Sequence, residues 1–460
     1  MSQTTDADTR ELPNADELRA ALTTMLARAA AAGADAAEAS LSASRARSVS
    51  VRDRARESLE YEGDRSAAIT VYRAVYRAGY RGQATGSAST TDLTPAGLAA
   101  ALDQALTIAR FTEADEYAGL ADAELMAGES PELALYNPWA LTSEAAQDLA
   151  LTVEAAALDA DARIAQTEGA TVASQDAISA YGNSHGFIGI EQASRHAISC
   201  TAIARDREGR MQREIAFSQA RRAETLFAPA EIGALAAERA LARLGARAAP
   251  TVSAPVLFTP RVARSLWSHL FGAISGGALY RNASFLKDKL DRRIAASGLT
   301  LRQVPHRRHG LASAGFDDDG VATGERDLVA DGVLRSYLLS AYSARRLGLT
   351  TTGNAGGVFN VDVAPGDQDF NALVAGMGRG LVVTELMGQG VNLVNGDYSR
   401  GAAGWWVENG ELAYPVENAT VAGNLADMLT GIAALGNDVE YQSALRTPSV
   451  VIDRMTIAGS

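Results

Sequence analysis

The spacing of apolar residues divides this chain into helical stretches separated by blocks of strand. From about Asn14–Asp16 onward, Leu18, Ala21, Leu22, Met25, Leu26 and Ala29 recur every three or four positions. This predicts a helix capped by a short polar side chain and ended by Gly33. Residues 38–86 then read as strands. Between Ala67 and Tyr80, the residues Thr70, Tyr72, Ala74, Tyr76, Ala78 and Tyr80 share one face, and Ile69, Val71, Arg73, Val75 and Arg77 share the other. A second helix is predicted from Thr94-Pro95, burying Leu98, Ala101, Leu102, Ala105 and Ile108. A loop over 112–140 precedes a third helix from Ser143 to Asp159, and residues 162–226 alternate as strands with turns at Gly182–Gly186 and Asp206–Gly209. A helix from Pro229 to Gly245 leads to a short strand at 254–258 and a helix from Pro260. Beyond residue 300 the chain is Gly-rich, with hairpin signals at Asp318-Asp319-Gly320, Ala330-Asp331-Gly332 and Glu408-Asn409-Gly410.

The expected fold class is therefore α+β: two N-terminal α+β modules followed by a β-rich C-terminal domain with a few helices. The expected divisions are a disordered tail over 1–13, a first module over 14–112, a middle module over 113–226 and a C-terminal domain over 227–460. A length of 460 residues is consistent with several cores. Composition adds constraints on partners and compartment. Hydrophobic residues are 47% and charged residues 21%, the balance of a soluble globular protein. A net charge of −13 argues against nucleic acid and anionic membrane as partners. The one cysteine, Cys200, permits no intrachain disulfide, which points to the cytoplasm. The polar stretch Met1–Glu17 has no signal-peptide pattern, and no run reaches the ~18 apolar residues of a spanning helix.

Several motifs suggest chemistry and fail their context tests. Gly182-Asn183-Ser184-His185-Gly186 matches G-x-S-x-G, but that nucleophile elbow needs a following helix, and Phe187–Glu191 alternate like a strand. His306 and His309 have metal-ligand spacing, but Arg307 and Arg308 lie between them, so solvated loop histidines are the plainer reading. Arg302, Arg307 and Arg308 could form a local anion-binding patch instead. Gly376-x-Gly378-x-Gly380 precedes a strand-like Leu381-Val382-Val383 and lacks the Lys-Ser/Thr pair of a phosphate loop. Asp317-Asp318-Asp319-Gly320 lacks calcium-loop spacing and reads as a solvated turn. Trp405-Trp406 should place one ring in the core and the other toward a cleft or subunit interface. No H-E-x-x-H occurs, and none of His185, His196, His269, His306 and His309 is followed by glutamate.

Long strings do carry a resemblance. Gly380-Leu-Val-Val-Thr-Glu-Leu-Met-Gly-Gln-Gly-Val391 and Asn395-Gly-Asp-Tyr-Ser-Arg-Gly-Ala-Ala-Gly-Trp-Trp-Val-Glu-Asn-Gly410 closely resemble the C-terminal domain of the PmbA/TldE family. Phe271–Gly277, Ser340–Gly348, Thr352–Gly357, Ile69–Tyr72 and Gly182–Gly186 are similar to that family as well. The resemblance covers nearly the whole chain beyond the first dozen residues.

The resemblance implies a subunit of a TldD/TldE-type zinc metalloprotease, which handles unfolded peptides in an enclosed cavity and in some hosts matures peptide antibiotics. In such a pair the TldD-like subunit holds zinc through an H-E-x-x-x-H helix and a cysteine near its C-terminus. Aligned on Gly272, this chain has Ser268 at the first ligand, His269 at the catalytic glutamate and Ala273 at the second ligand. Thr447–Ile452 contains no cysteine. The implied role is a partner subunit without catalytic residues or zinc of its own, paired with a zinc-bearing TldD-like chain or, in isolation, with itself. Asn392, Asp397, Tyr398, Ser399 and Arg400 are the candidate cavity or interface residues, with turn-stabilising hydrogen bonds as the alternative role. Peptide would bind by strand addition to free edges of the Gly-rich domain. Two rivals stand beside this reading: an autonomous hydrolase built on Ser184-His185 or His306/His309, and a scaffold or regulatory protein.

Overall fold

The computed structural model describes residues 11–77, 80–129 and 131–459. The first helix, α1 (Ala15–Ala31), opens with a capping box. The Asn14 side chain accepts the Glu17 amide at 2.9 Å, and the Glu17 carboxylate accepts the Asn14 amide at 3.1 Å. Of the tail expected over 1–13, residues 1–10 lie outside the described residues, and Leu12 already packs on the first core. The side chains of Arg77, Ala78 and Tyr80 also lie outside them.

Six strands form one antiparallel sheet in the order β3-β2-β1-β4-β5-β6: β1 (Ala36–Arg52), β2 (Ala55–Arg77), β3 (Tyr80–Thr90), β4 (Ile164–Asn183), β5 (Ile188–Arg205) and β6 (Met211–Ala220). The two N-terminal modules thus share a sheet. β1 pairs with β2 on one side and with β4 on the other, so Ala39 faces both Ile69 and Gly182. Their helices stay separate. α1 and α2 (Pro95–Phe111) bury Leu22, Leu102 and Ala105 against Ala39, Leu41 and Ile69. α3 (Ser143–Leu158) and α4 (Pro229–Ala242) bury Val153, Ile232 and Ala236 against Val49, Val51, Val172 and Cys200. The α4 helix therefore belongs to the middle module, not to the C-terminal domain that residue 227 was expected to open. Ile108, expected in the α2 core, is 39% exposed, while Leu106 and Ala109 are buried.

All four helices cover one face of the sheet, because Leu41, Ala43, Val49 and Val51 share one parity along β1. Between the two cores the same face turns polar. Arg45 pairs with Asp176 at 3.0 Å, Asp176 accepts the Ser194 hydroxyl at 2.7 Å, and buried His196 bonds Ser174 and the Asn137 carbonyl.

The C-terminal region is built on a closed ring of strands. β7 (Val252–Phe258) lies between β12 (Gly380–Met387), to which it is parallel, and β17 (Val450–Gly459), and β13 (Asp397–Glu408) and β14 (Glu411–Asn424) continue from β12. The ring closes where β14 pairs with β17, Val421 facing Ile457, and β15 (Ile432–Leu435) branches from β17. One face packs on α5 (Pro260–Ala273) through Trp267, Leu266, Phe258 and Val383. The other packs on α8 (Phe370–Met377) through Leu257, Val382 and Leu373. A small sheet of β8 (Leu301–Gln303), β9 (Arg326–Ala330), β10 (Val333–Leu334), β11 (Val361–Val363) and β16 (Leu445–Arg446) flanks it, with short helices α6 (Gly276–Tyr280), α7 (Ala341–Leu347) and α9 (Leu425–Thr430). Ring closure removes the free edges of its five strands, and the edges left in this domain's small sheet are the two-residue strands β10 and β16. Among the described residues, no helix is long and apolar enough to cross a membrane.

Candidate functional site

Ser268, His269 and Ala273 lie in the last turns of α5, whose apolar stripe of Val262, Leu266, Leu270 and Phe271 fixes the helix on the ring. The Ser268 hydroxyl is exposed and donates back to the Arg264 carbonyl at 2.9 Å, while Ala273 is buried and has no polar side-chain atom. A zinc site needs three nitrogen, sulfur or carboxylate donors converging on one point. Neither ligand position of this helix supplies one. Among the described residues, no three His, Cys, Asp or Glu side chains are close enough to hold a metal. The described residues at this helix do not fit the zinc of a metallopeptidase.

His269 turns inward. Its ring meets Tyr398 edge-on, with centroids 6.1 Å apart at 77°. Its Nε2 is buried without a hydrogen-bond partner, and the buried Tyr398 hydroxyl has the Arg400 guanidinium beside it but no well-formed hydrogen bond. Burial, with the nearby Arg400 guanidinium, pushes the His269 pKa down, so the ring is neutral near pH 7. Burial pushes the Tyr398 phenol up to about 12. The structure thus brings His269 of α5 against Tyr398 and Arg400 of β13, which lie far from it in sequence.

Asn392 and Asp397 act in the loop joining β12 to β13. Asn392 Oδ1 accepts the Val394 amide at 2.9 Å, and its backbone N–H donates to the Asp397 carbonyl at 2.8 Å. Asp397 accepts the Asn395 amide group at 2.6 Å, the Ser399 N–H donates to the Gly390 carbonyl, and Arg400 Nε donates to the Gly388 carbonyl at 3.0 Å. These bonds of Asn392 and Asp397 lie within the loop itself. Leu393 anchors the loop against α5 at Gly272.

The remaining candidates do not assemble. Ser184 lies in the turn between β4 and β5, where its Oγ accepts the Ala37 amide at 3.1 Å, and His185 Nε2 bonds the Ala121 carbonyl. His306 bonds Thr323 and His309 bonds the Ala134 carbonyl, so both are engaged within the fold rather than solvated. Arg302 pairs with Glu325 and Asp327, Arg307 with Asp362 and Arg308 with Glu132, so the three arginines are engaged by separate carboxylates rather than joined in one patch. The 376–380 glycines form the turn from α8 into β12. Trp406 is buried, and Trp405 packs partly buried beside α8.

The Asp317–Gly320 turn is not solvated as expected. Asp317 is 3% exposed and accepts the amides of Asp319, Val321 and Ala355. Burial pushes its carboxyl up to about 7. It borders a cavity of about 470 Å³ between the polar face of the N-terminal sheet and the C-terminal domain. In that cavity Glu38 accepts hydroxyls from Tyr72 at 2.6 Å and Tyr181 at 2.7 Å, and burial still raises its pKa. The cavity presents acceptors and aromatic edges and no basic lining residue. No sequence signal marked it, because Glu38 sits in an ordinary alternating strand.

Models of three PmbA/TldA metallopeptidase domains match the chain: domain 1 over residues 37–109, the central domain over 136–244 and the C-terminal domain over 251–459. The Metalloprotease PmbA of Escherichia coli O157:H7 is 45% identical over 403 residues, 88% of each chain. A Metalloprotease PmbA homolog of Haemophilus influenzae is 40% identical over 405 residues, again 88% of each. A crystal structure from Bacteroides thetaiotaomicron, of a protein named for DNA gyrase modulation, superposes with a TM-score of 0.87 at 28% identity, covering 97% of this chain and 99% of that one. TldE from Thermococcus kodakarensis shares the fold, with a TM-score of 0.80 at 20% identity over 95% of this chain and 100% of that one.

Proposed function

This chain belongs to the PmbA/TldE family, and from that premise we propose that it is the non-catalytic partner of a zinc-bearing, TldD-like peptidase subunit. Together the two subunits process or degrade unfolded peptides in an enclosed cavity; maturation of peptide antibiotics is one such task in some hosts. The observation that carries this reading is the donor set of α5. Ser268 spends its hydroxyl on its own helix and Ala273 offers nothing, so no water can be activated there by a metal held in the family manner. The rival hydrolase is disfavoured by geometry, since Ser184 and His185 each bond to separate backbone groups.

The test uses the purified chain, the matching TldD-like chain and their mixture. The expected result is no stoichiometric zinc and no cleavage of casein-like peptides by this chain alone, with activity appearing when the zinc subunit is added. One tightly held zinc per isolated chain, or a mixture no more active than the zinc subunit alone, would overturn the proposal.

A further inference from the structure

With the C-terminal ring closed, the long unpaired strand edge lies in the N-terminal sheet. β2 pairs with β1 along its whole length, but β3 covers only Ala67–Arg77 of its other side. Among the described residues, no backbone hydrogen bond reaches the outer side of 55–66. The opposite edge of the sheet is protected: the β6 carbonyls of Arg213 and Ile215 accept guanidinium groups from Arg243, Arg239 and Arg261. A row of outward N–H and C=O groups left open in this way is a template for another strand.

Both faces beside this edge are hollowed. On the helix-covered face, Tyr61 and Arg47 face each other across the strands, and with Trp139, Arg45, Glu144 and Asp176 they line a largely polar cavity of about 500 Å³. Arg47 stacks over the Tyr61 ring at 5.0 Å and keeps a buried Nε without a partner. On the other face a cavity of about 340 Å³ is lined by Ser48, Glu60, Glu62 and Gln175 and, at its far end on β5, by Arg195. Strand alternation puts Glu60, Glu62 and Asp64 in one exposed row on this second face, and none of them forms an ion pair among the described residues.

The geometry points to this edge as a docking site for an extended peptide that alternates apolar or aromatic side chains with basic ones. The backbone ladder holds the strand, the exposed Tyr61 ring and half-buried Leu59 on the helix-covered face meet the apolar side chains, and the Glu60–Glu62–Asp64 row takes the basic ones. Charge selects this occupant over a second copy of the chain, because self-pairing would lay an acidic row against its like. The inference rests on the proposed peptide-handling role and adds a substrate class and a place.

The test measures fluorescence anisotropy of labelled peptides of alternating Lys and Val on the full chain. Two N-methylated versions are compared, each blocking alternate backbone nitrogens. Strand addition requires one version to lose binding and the other to keep it. The variant E60K/E62K/D64K, all exposed positions, should keep its melting temperature and bind roughly tenfold more weakly. Equal binding of both N-methylated versions, an unchanged affinity in the triple variant, or a triple variant that instead alters the oligomeric mass would overturn the assignment. Failure here leaves the zinc and cleavage test of the partner role untouched, since that test does not depend on where peptide docks.

Discussion

Glu154 should be the most sensitive polar position in the N-terminal layer. It is a fully buried carboxylate on α3 without an ion-pair partner among the described residues. Its oxygens accept the backbone amides of Asp53 at 3.0 Å and Arg54 at 2.8 Å and the Thr167 hydroxyl at 2.6 Å. Asp53 and Arg54 are the two turn residues between β1 and β2, with φ of 52° and 60°. A two-residue hairpin asks for that conformation, usually from Asn-Gly or Asp-Gly; Asp53 suits its position, but Arg54 stands where glycine is preferred and does not adopt it cheaply. The Glu154 carboxylate therefore holds a strained turn that sequence alone would not choose. Glu154→Gln keeps the shape but replaces an acceptor with a donor. At least one charge-assisted bond is lost and an N–H faces an N–H, a cost of about 2–3 kcal/mol. For a layer of this size that is a fall of roughly 4–12 °C in its melting temperature. Urea unfolding followed by circular dichroism, with amide exchange at Asp53 and Arg54, measures both effects. Asp159→Asn, which removes only the exposed Arg54–Asp159 bridge of the same turn, should change neither. If Glu154→Gln unfolds like the parent and the two amides exchange no faster, the carboxylate does not hold the turn.

Other outcomes follow from single features. The Asp317 carboxyl is raised to about 7 in the fold, so the folded state holds its proton more tightly than the unfolded chain does. Its contribution is therefore full below about pH 4 and lost as pH rises through about 7. Asp317→Asn should flatten that part of the stability-against-pH curve, and an unaltered slope refutes the assignment. Gly233 lies where α4 crosses α3, and an added Cβ would stand 2.0 Å from the Val153 carbonyl oxygen. Gly233→Ala should cost about 1–3 kcal/mol in chemical denaturation, and a neutral result would mean that the helices slide apart freely. The Tyr398 hydroxyl is buried beside Arg400 without a well-formed hydrogen bond, so Tyr398→Phe should hold or raise the melting temperature. A clear loss of stability would reveal a bond to that hydroxyl.

What the sequence disclosed was local. The stripes of α1 and α2, the cap near Asn14 and the turn at Gly182–Gly186 follow from periodicity and short-range side-chain chemistry. The β1–β4 pairing and the ring closure of β14 on β17 join residues far apart, and nothing in the alternation of Val and Ala says which strand meets which. The same limit misplaced α4, whose stripe is unmistakable but whose partners are not. At the candidate site, the α5 residues were legible because the absence of donors at Ser268 and Ala273 is written in the residue types. The meeting of His269 with Tyr398, and the burial of Asp317, depend on tertiary packing that strips water from groups the sequence presents as ordinary.

The position of β7 inside the ring has a consequence for the living cell. Val256, Leu257 and Phe258 emerge from the ribosome with both of their neighbours still unmade. β12 comes more than a hundred residues later, and β17 nearly two hundred. At ordinary translation speeds the wait for β17 is roughly 10–40 s. During that interval an apolar strand has no lateral partner, so the nascent chain should depend on a chaperone until its last strand is released. Ribosome-bound chains halted before residue 450 would then be cut readily by protease near β7, and finished chains would not.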